Sequence, residues 1–221
     1  MGRRAPTQDV LAELAASLGP GQLLGPADGL ERYERAPFDG TRGAAAFVAR
    51  PRTTAEVRAV LRWAHRHEVG LVAQGANTGL VHAGFPDGSG TTGVLSLELC
   101  RERFELDAVN RTLTVSAGWT LDALNERLAP EGLVLPIDLG SDPAVGGMVS
   151  TNTGGTRMIG YGDVRHRVLG LEVVLPDEGA TVLEDLSGLR KDNTGVDLKQ
   201  LFVGTGGQFG VVTAATFELA P

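Results

Sequence analysis

A chain of 221 residues, 42% of them hydrophobic and 21% charged, has globular composition and is long enough to bury about 70% of its extended surface. Twenty basic against 27 acidic side chains leave a net charge of −7, which argues against nucleic acid or an anionic membrane as the main partner. The single cysteine, Cys100, excludes an internal disulfide framework and any multi-cysteine metal site. The outlying number is 31 glycines, about twice the usual ~7% share, and they come in clusters.

The N-terminus carries Arg3 and Arg4 without an apolar segment behind them, which is not a secretory signal. Pro6 stands where myristoylation at Gly2 requires Ser or Thr, and no run reaches about 18 apolar residues. The expectation is a soluble, cytoplasmic chain. Thr7 opens a helix with Val10, Leu11, Leu14 and Leu18 at helical spacing, stopped by Gly19-Pro20. A loop-rich stretch to Gly43 follows, with a short helix near Leu30 to Tyr33. Phe47-Val48-Ala49 reads as a strand, and Thr53-Thr54-Ala55-Glu56 as a capping box. The helix behind that box carries Val57, Val60, Leu61 and Ala64 on one face, and Leu71-Val72-Ala73 is the next strand, giving a small βαβ unit. Further strands are expected at Val94–Leu97, Phe104–Val109 and Thr112–Ala117. Thr120 caps a helix with Leu121, Leu124 and Leu128. Val168–Leu175 and Thr181–Leu183 form a hairpin around Pro176 to Gly179, and Val211–Leu219 is the last strand. The fold class is α+β, a small βαβ lobe followed by a larger strand-rich lobe.

Three glycine clusters punctuate this order: Gly75 to Gly79 directly after a strand, Gly140 to Gly155, and Gly204 to Gly210. Glycine admits close backbone approach and positive φ, so successive N–H groups can converge on one anion such as a pyrophosphate. At Gly75 and Gly79 this predicts positive φ with backbone donors. The first cluster is neither a Walker A loop nor a GxGxxG opening a helix; taken alone it also reads as a plain turn. Gly146-Gly147-Met148-Val149-Ser150-Thr151-Asn152-Thr153-Gly154-Gly155 adds hydroxyls and an amide able to bond a planar heterocycle or a diphosphate.

With Gly75-Ala76-Asn77-Thr78-Gly79-Leu80-Val81, Pro136 to Gly140, Val145 to Gly155, Tyr161-Gly162, Val168 to Leu175, Leu189 to Phe202 and Gly207 to Thr213 in this order, the chain from about Ala46 to Pro221 resembles the PCMH-type FAD-binding domain. The family is the p-cresol methylhydroxylase/vanillyl-alcohol oxidase superfamily, in its D-2-hydroxyglutarate dehydrogenase, D-lactate dehydrogenase and glycolate oxidase flavin-subunit branch. The resemblance implies residues 1–45 as an N-terminal helical extension and a two-lobed domain over 46–221, split near 105, with FAD between the lobes. It implies that Gly75, Ala76, Asn77, Thr78, Gly79 and Leu80 wrap the pyrophosphate. Pro136, Asp138, Leu139, Gly140 and Ser141, with Gly146, Gly147, Ser150, Thr151, Asn152, Gly154 and Gly155, would line flavin and diphosphate. Tyr161, Gly162, Gly207, Gly210, Val211 and Val212 complete the implied cofactor contacts. The sequence departs from the branch at Gly206-Gly207-Gln208-Phe209-Gly210, where relatives have Glu-Gly-Thr-Leu-Gly.

The implied activity is FAD-dependent oxidation of a small D-2-hydroxy acid, with hydride passing to flavin N5 and electrons leaving to a separate acceptor. A non-catalytic flavin-binding subunit or fragment, and a nucleotide-binding module without flavin, stay open beside it. Positions 74–80 hold no histidine and His82 reads as a solvated loop residue, so the FAD is expected to be noncovalent. Four histidines without ligand spacing predict no metal. Cys100 reads as a packing residue and Arg190 to Leu198 as a hydrogen-bonded turn entering a short helix. Relatives continue into a substrate-covering domain, so the expectation is a chain that binds FAD, contributes no catalytic residue and leaves an uncovered flavin face open to self-association or a partner subunit.

Overall fold

The computed structural model describes residues 5–221, so the readings of Gly2, Arg3 and Arg4 lie outside the described residues. Two sheets carry the architecture. The first has the order β1-β2-β4-β3, with β1 Leu23–Leu24, β2 Ala45–Ala49, β3 Leu71–Gln74 and β4 Thr92–Ser96. β4 runs parallel to both β2 and β3, while β1 closes the edge antiparallel to β2. The crossover from β2 to β3 is helix α3, Thr54–Arg66, which buries Val57, Val60, Leu61, Trp63 and Ala64. Trp63 stacks edge-on against Phe47 with centroids 5.4 Å apart and donates its indole N–H to the Val10 carbonyl at 3.0 Å. That bond docks helix α1, Gln8–Ala16, whose Leu14 is fully buried; each such side chain contributes about 1.5–3 kcal/mol. The short helix α2, Glu31–Glu34, covers the other side of the sheet through Tyr33.

The second sheet has the order β5-β6-β9-β7-β8 and is antiparallel throughout. Its strands are β5 Phe104–Asp107, β6 Thr112–Ser116, β7 Val168–Val174, β8 Val182–Asp185 and β9 Val211–Glu218. Helix α4, Leu121–Leu128, lays Leu121, Leu124 and Leu128 into its core. The core of the first sheet is not closed on itself: Val174, Ala180 and Val211 are buried in the same cluster as Phe47, Trp63 and Leu95. Beside that shared core, Glu172 on β7 accepts hydrogen bonds from the Thr54 hydroxyl at 2.6 Å and the Thr213 hydroxyl at 2.7 Å. One buried carboxylate thus ties α3 to β9.

The expected α+β class is the one present, built on two sheets, and the local differences have physical causes. At the capping box, the Thr53 hydroxyl accepts from Glu56 N at 3.1 Å, but the Glu56 carboxylate accepts from Arg52 N at 2.7 Å and from the Gln22 amide at 2.5 Å. The reciprocal half of the box is therefore not made. Neither Thr7 nor Thr120 caps with its side chain; Asp142 Oδ1 accepts from Asp122 N at 2.9 Å in the first turn of α4. The glycine-rich stretch after Gly140 contains a helix, α5, Val145–Thr151. Two further one-turn helices, α6 Met158–Tyr161 and α7 Val164–Arg167, precede β7. Arg190 to Leu198 is the expected turn, with Asp192 accepting from Thr194 N at 3.0 Å before the 3₁₀ turn Leu198–Leu201.

Candidate cofactor site

A cavity of about 580 Å³ opens where the two sheets meet, within the size range of small-molecule and cofactor sites. Its first wall is the carboxyl end of the parallel strands: Ala73 and Gln74 from β3, Leu97 after β4, then the loop Gly75 to Val81. Carboxyl ends of parallel strands are where α/β sheets place ligands. The second wall comes from Ala117 after β6, Val211 and Val212 at the start of β9, and the exposed side of α5. The segment Leu139-Gly140-Ser141 and the turn Gly206-Gly207 close the remaining sides.

Main-chain bonds hold these walls. Val145 N donates to Trp119 O at 2.9 Å and Gly146 N to Ala117 O at 3.0 Å, which pins the start of α5 to the end of β6. Gly204 N and Gly206 N donate to Val149 O and Ser150 O at 3.1 and 2.7 Å, which pins the third glycine cluster to the end of α5. Gly206 and Gly207 adopt φ of 66° and 78°, so the glycine at 206 takes a left-handed conformation that a glutamate would hold only under strain. In the first loop the residue with positive φ is Asn77, at 54°. Its side-chain amide donates to Arg35 O at 2.9 Å. The positive φ expected at Gly75 and Gly79 is absent; Asn tolerates the left-handed region and carries the turn instead. The buried Gln74 amide donates to Tyr33 O at 3.0 Å and to Gly84 O, fixing the loop's root.

Two properties define what the cavity can hold. Among the described residues lining it there is no Asp, Glu, Lys, Arg or His, and none of the backbone N–H groups of residues 75–80, 139–141 or Gly147 donates to a protein acceptor. Backbone N–H groups demand a partner, and a set of them around one space suits an anion without any lysine. The second property is room. A β-carbon built on Gly79, Gly140 or Gly147 meets no atom within 4 Å, whereas one on Gly146 meets Ala117 Cβ at 3.0 Å and Val212 O at 3.4 Å. Gly146 packs the helix against the sheets; Gly147, its neighbour, leaves the ligand side clear.

Of the residues singled out in the sequence, the structure brings Gly75 to Leu80, Leu139 to Ser141, Gly146, Gly147, Ser150, Thr151, Gly207, Gly210, Val211 and Val212 onto this one wall. It places Pro136, Asp138, Asn152, Gly154, Gly155, Tyr161 and Gly162 off the wall, where several of them brace it. Asp138 accepts from the Thr156 hydroxyl at 2.7 Å and bridges to Gly155. Asn152 ends α5 with φ 50° and joins α7 by bonds to Arg165 N and Asp163, both 2.9 Å. Burial alone would raise the Asp163 carboxyl, but bonds from His166 and Asn152 outweigh it and hold it below its ordinary range. Tyr161 sits on α6 and lends its carbonyl to Arg167 at 2.7 Å.

Sequence reasoning missed Phe38, Ala83, Phe85, Pro143 and Ala144, which also line the cavity, as does Thr153 from within the second glycine cluster. The spacing of Val145, Met148 and Val149 was a helix signal that the adjacent glycines masked. His82 is half exposed as expected but is paired, with Nε2 2.9 Å from Asp39 Oδ2 beside a smaller cavity of about 310 Å³. Cys100 is buried, and burial, with Glu102 and Glu172 nearby, pushes its thiol up to about 12; it is a packing residue. Among the described residues no helix is long and apolar enough to cross a membrane.

Comparison with known proteins agrees with this geometry. The family model described as "FAD binding domain" matches residues 45–183. The mitochondrial D-2-hydroxyglutarate dehydrogenase of Bos taurus is 40% identical over 217 residues, 97% of this chain and 39% of that protein. Its counterpart from Danio rerio is 40% identical over 212 residues, 95% of this chain and 39% of the relative. The chain thus spans about two fifths of the length of these curated relatives. Among solved structures, an alkyldihydroxyacetonephosphate synthase superposes with a TM-score of 0.84 at 20% identity, covering 100% of this chain and 41% of the other, which shows the fold. An uncharged, glycine-walled cavity ringed by free amides suits a dinucleotide, and the chain belongs to the FAD binding domain family.

Proposed function

We propose that the chain is the flavin-carrying part of a dehydrogenase that oxidises a small D-2-hydroxy acid, with FAD held noncovalently and a separate electron acceptor. The observation that carries this reading is the cavity between the sheets, whose wall offers free backbone amides, glycines with open space before them, and no charged side chain. The dehydrogenase names of the 40% identical relatives supply the substrate class. Residues 46–105 and 106–221 form its two lobes, with the described part of the N-terminal extension, residues 5–45, braced on the first. The amides of Gly75 to Leu80 and Leu139 to Ser141 hold the diphosphate, while Gly147, Ser150, Thr151, Gly207, Gly210, Val211 and Val212 hold the rest of the dinucleotide and Gly146, at the cavity wall, packs α5 against the sheets. Asp138, Asn152 and the residues around them act through the wall they brace. When bound, FAD supplies the two-electron acceptor for oxidation of a C–OH group.

Oxidising a hydroxy acid also needs a base for the hydroxyl and a clamp for the carboxylate. We propose that both come from outside these 221 residues, from a further domain or a partner chain. Phe38, Leu80 and Val81, 73%, 66% and 75% exposed at the cavity rim, support a covering element there, since exposed apolar groups at a site mark a contact surface. We place the chain in the cytoplasm; the relatives named above are mitochondrial, and fractionation of cells carrying the tagged chain decides between the two compartments.

The test is the absorbance spectrum of the purified chain after incubation with FAD and desalting. Flavin bands near roughly 370 and 450 nm are expected, with the flavin released to the supernatant by acid. A colourless protein sinks the flavin reading, and flavin retained in the acid pellet sinks the noncovalent one. Anaerobic addition of D-lactate, D-2-hydroxyglutarate or glycolate is expected to leave the bands unbleached; rapid bleaching would place a complete substrate site within the chain.

A further inference from the structure

The end of α5 carries two hydroxyls whose protons are already assigned by geometry. Thr151 Oγ1 lies 2.8 Å from the Gly147 carbonyl oxygen and 2.8 Å from Thr153 Oγ1. A carbonyl only accepts, so the single Thr151 proton goes to Gly147 O. The contact between the two hydroxyls is then a hydrogen bond only when Thr153 donates. The relay runs from Thr153 to Thr151 to Gly147 O, and both protons are spent. The backbone fixes Thr153 on both sides, since its N–H donates to Met148 O at 3.0 Å and its carbonyl accepts from Val164 N at 3.0 Å. Gly147, Thr151 and Thr153 all line the cavity. What Thr153 presents to a ligand there is lone pairs, whereas the wall formed by residues 75–80 and 139–141 presents amide donors without protein partners. The cavity is therefore polarised.

We propose that Thr153, held by Thr151, is a specificity-determining acceptor: it takes a hydrogen bond from an N–H or O–H edge of the flavin dinucleotide and turns phosphate oxygens away toward the amide wall. The assignment rests on FAD being the ligand. A phosphate oxygen facing Thr153 meets lone pairs, and gains a bond only by breaking the relay. A donor edge completes it. Three parts of FAD carry such donors: the imide N–H of the flavin, the amino group of the adenine, and the sugar-alcohol chain with its hydroxyls.

The experiment uses the whole chain and FAD binding, read by flavin fluorescence or calorimetry. Thr153→Val keeps the side-chain shape and removes the oxygen; Thr153→Ser keeps the oxygen. The valine variant is expected to bind FAD about five- to tenfold more weakly, the loss of one net hydrogen bond, and the serine variant within about twofold of wild type. Three analogues then identify the donor: FAD methylated at the imide nitrogen, FAD with hypoxanthine for adenine, and FAD with a 2′-deoxyribityl chain. One of them is expected to bind wild type more weakly yet lose nothing further on Thr153→Val, the non-additivity of two changes at one contact. Thermal melting of the apo variants checks folding, with Thr153→Ala in reserve should valine not fold. The proposal is overturned when removal of the oxygen leaves FAD affinity unchanged, when serine falls as far as valine, or when no analogue is non-additive. A wild-type chain that binds no FAD overturns the flavin reading itself, a different result from wild-type binding with no Thr153 effect.

Discussion

Gly147→Ala separates the fold from the ligand at a single methyl group. Gly147 lies inside α5 and has open space where its β-carbon would stand. In a helix interior alanine is favoured over glycine by about 0.8–1.0 kcal/mol, so the apo variant should be more stable, with a melting temperature raised by about 2–4 °C for a chain of this size. The same methyl intrudes into the cavity. Crowding of that kind costs about 1–3 kcal/mol, which is about 5- to 150-fold in the dissociation constant for FAD. The neighbouring Gly146→Ala is the control, because its methyl meets Ala117 Cβ at 3.0 Å and Val212 O at 3.4 Å. It should lower the melting temperature of the apo chain by pushing α5 off the end of β6. Differential scanning fluorimetry on apo protein and FAD titration of both variants complete the assay. A Gly147→Ala chain that binds FAD as tightly as wild type refutes the assignment of that face to the ligand, and one that melts lower refutes the reading of the space.

Other perturbations have equally definite outcomes. Asn77→Val, forced to hold φ 54° without its bond to Arg35, should lose most FAD, while Asn77→Gly should retain more; equal retention in both would show that the loop's conformation is irrelevant to binding. Glu172→Ala removes the acceptor shared by the Thr54 and Thr213 hydroxyls and leaves Thr213 only its longer bond to the residue-172 carbonyl at 3.3 Å. It should destabilise the apo chain by about 1–3 kcal/mol, read by urea unfolding; a midpoint unchanged from wild type removes the carboxylate as a tie. The Cys100 thiol has an ordinary value of 9.0 and is raised to about 12 in the folded chain. The folded state therefore holds its proton longer, and this contribution is intact below pH 9 and lost as pH rises from there toward 12. Cys100→Ala should flatten that alkaline loss of stability, and in the native wild type the thiol should react with a disulfide reagent at pH 8 only after urea is added; prompt labelling of native protein contradicts its burial.

The parts of the fold that could be read from the chain are those where local pattern and tertiary packing agree. Helix α3 has a start signal at Thr53 and an apolar face from Val57 to Ala64, and that face is the one buried. The hairpin β7–β8 turns at the polar segment between Leu175 and Thr181, as its composition indicates. Helix α5 was hidden because glycine lowers helix propensity, and its stability comes from main-chain bonds to Trp119 and Ala117 and from burial of Val145, Met148 and Val149. None of these partners is local in sequence. The same holds at the helix starts: Asp142, some twenty residues downstream, serves the first turn of α4, where a local rule expects Thr120. For the site, glycine content marked the wall, but only tertiary packing distinguishes Gly147, open to the cavity, from Gly146, packed against a strand. The apolar members of the wall, Phe38 and Phe85, carry no signal of their own in one sequence.

The core shared between the sheets has a thermodynamic consequence. Because Val174, Ala180 and Val211 complete the cluster around Phe47 and Trp63, unfolding either half strips apolar cover from the other. The halves then cannot melt independently, and heat should unfold the chain in one cooperative transition. Cofactor binding to such a molecule raises that single transition as a whole. The two walls of the cleft stand on one hydrophobic seam, with Val211 belonging to both the seam and the cavity lining.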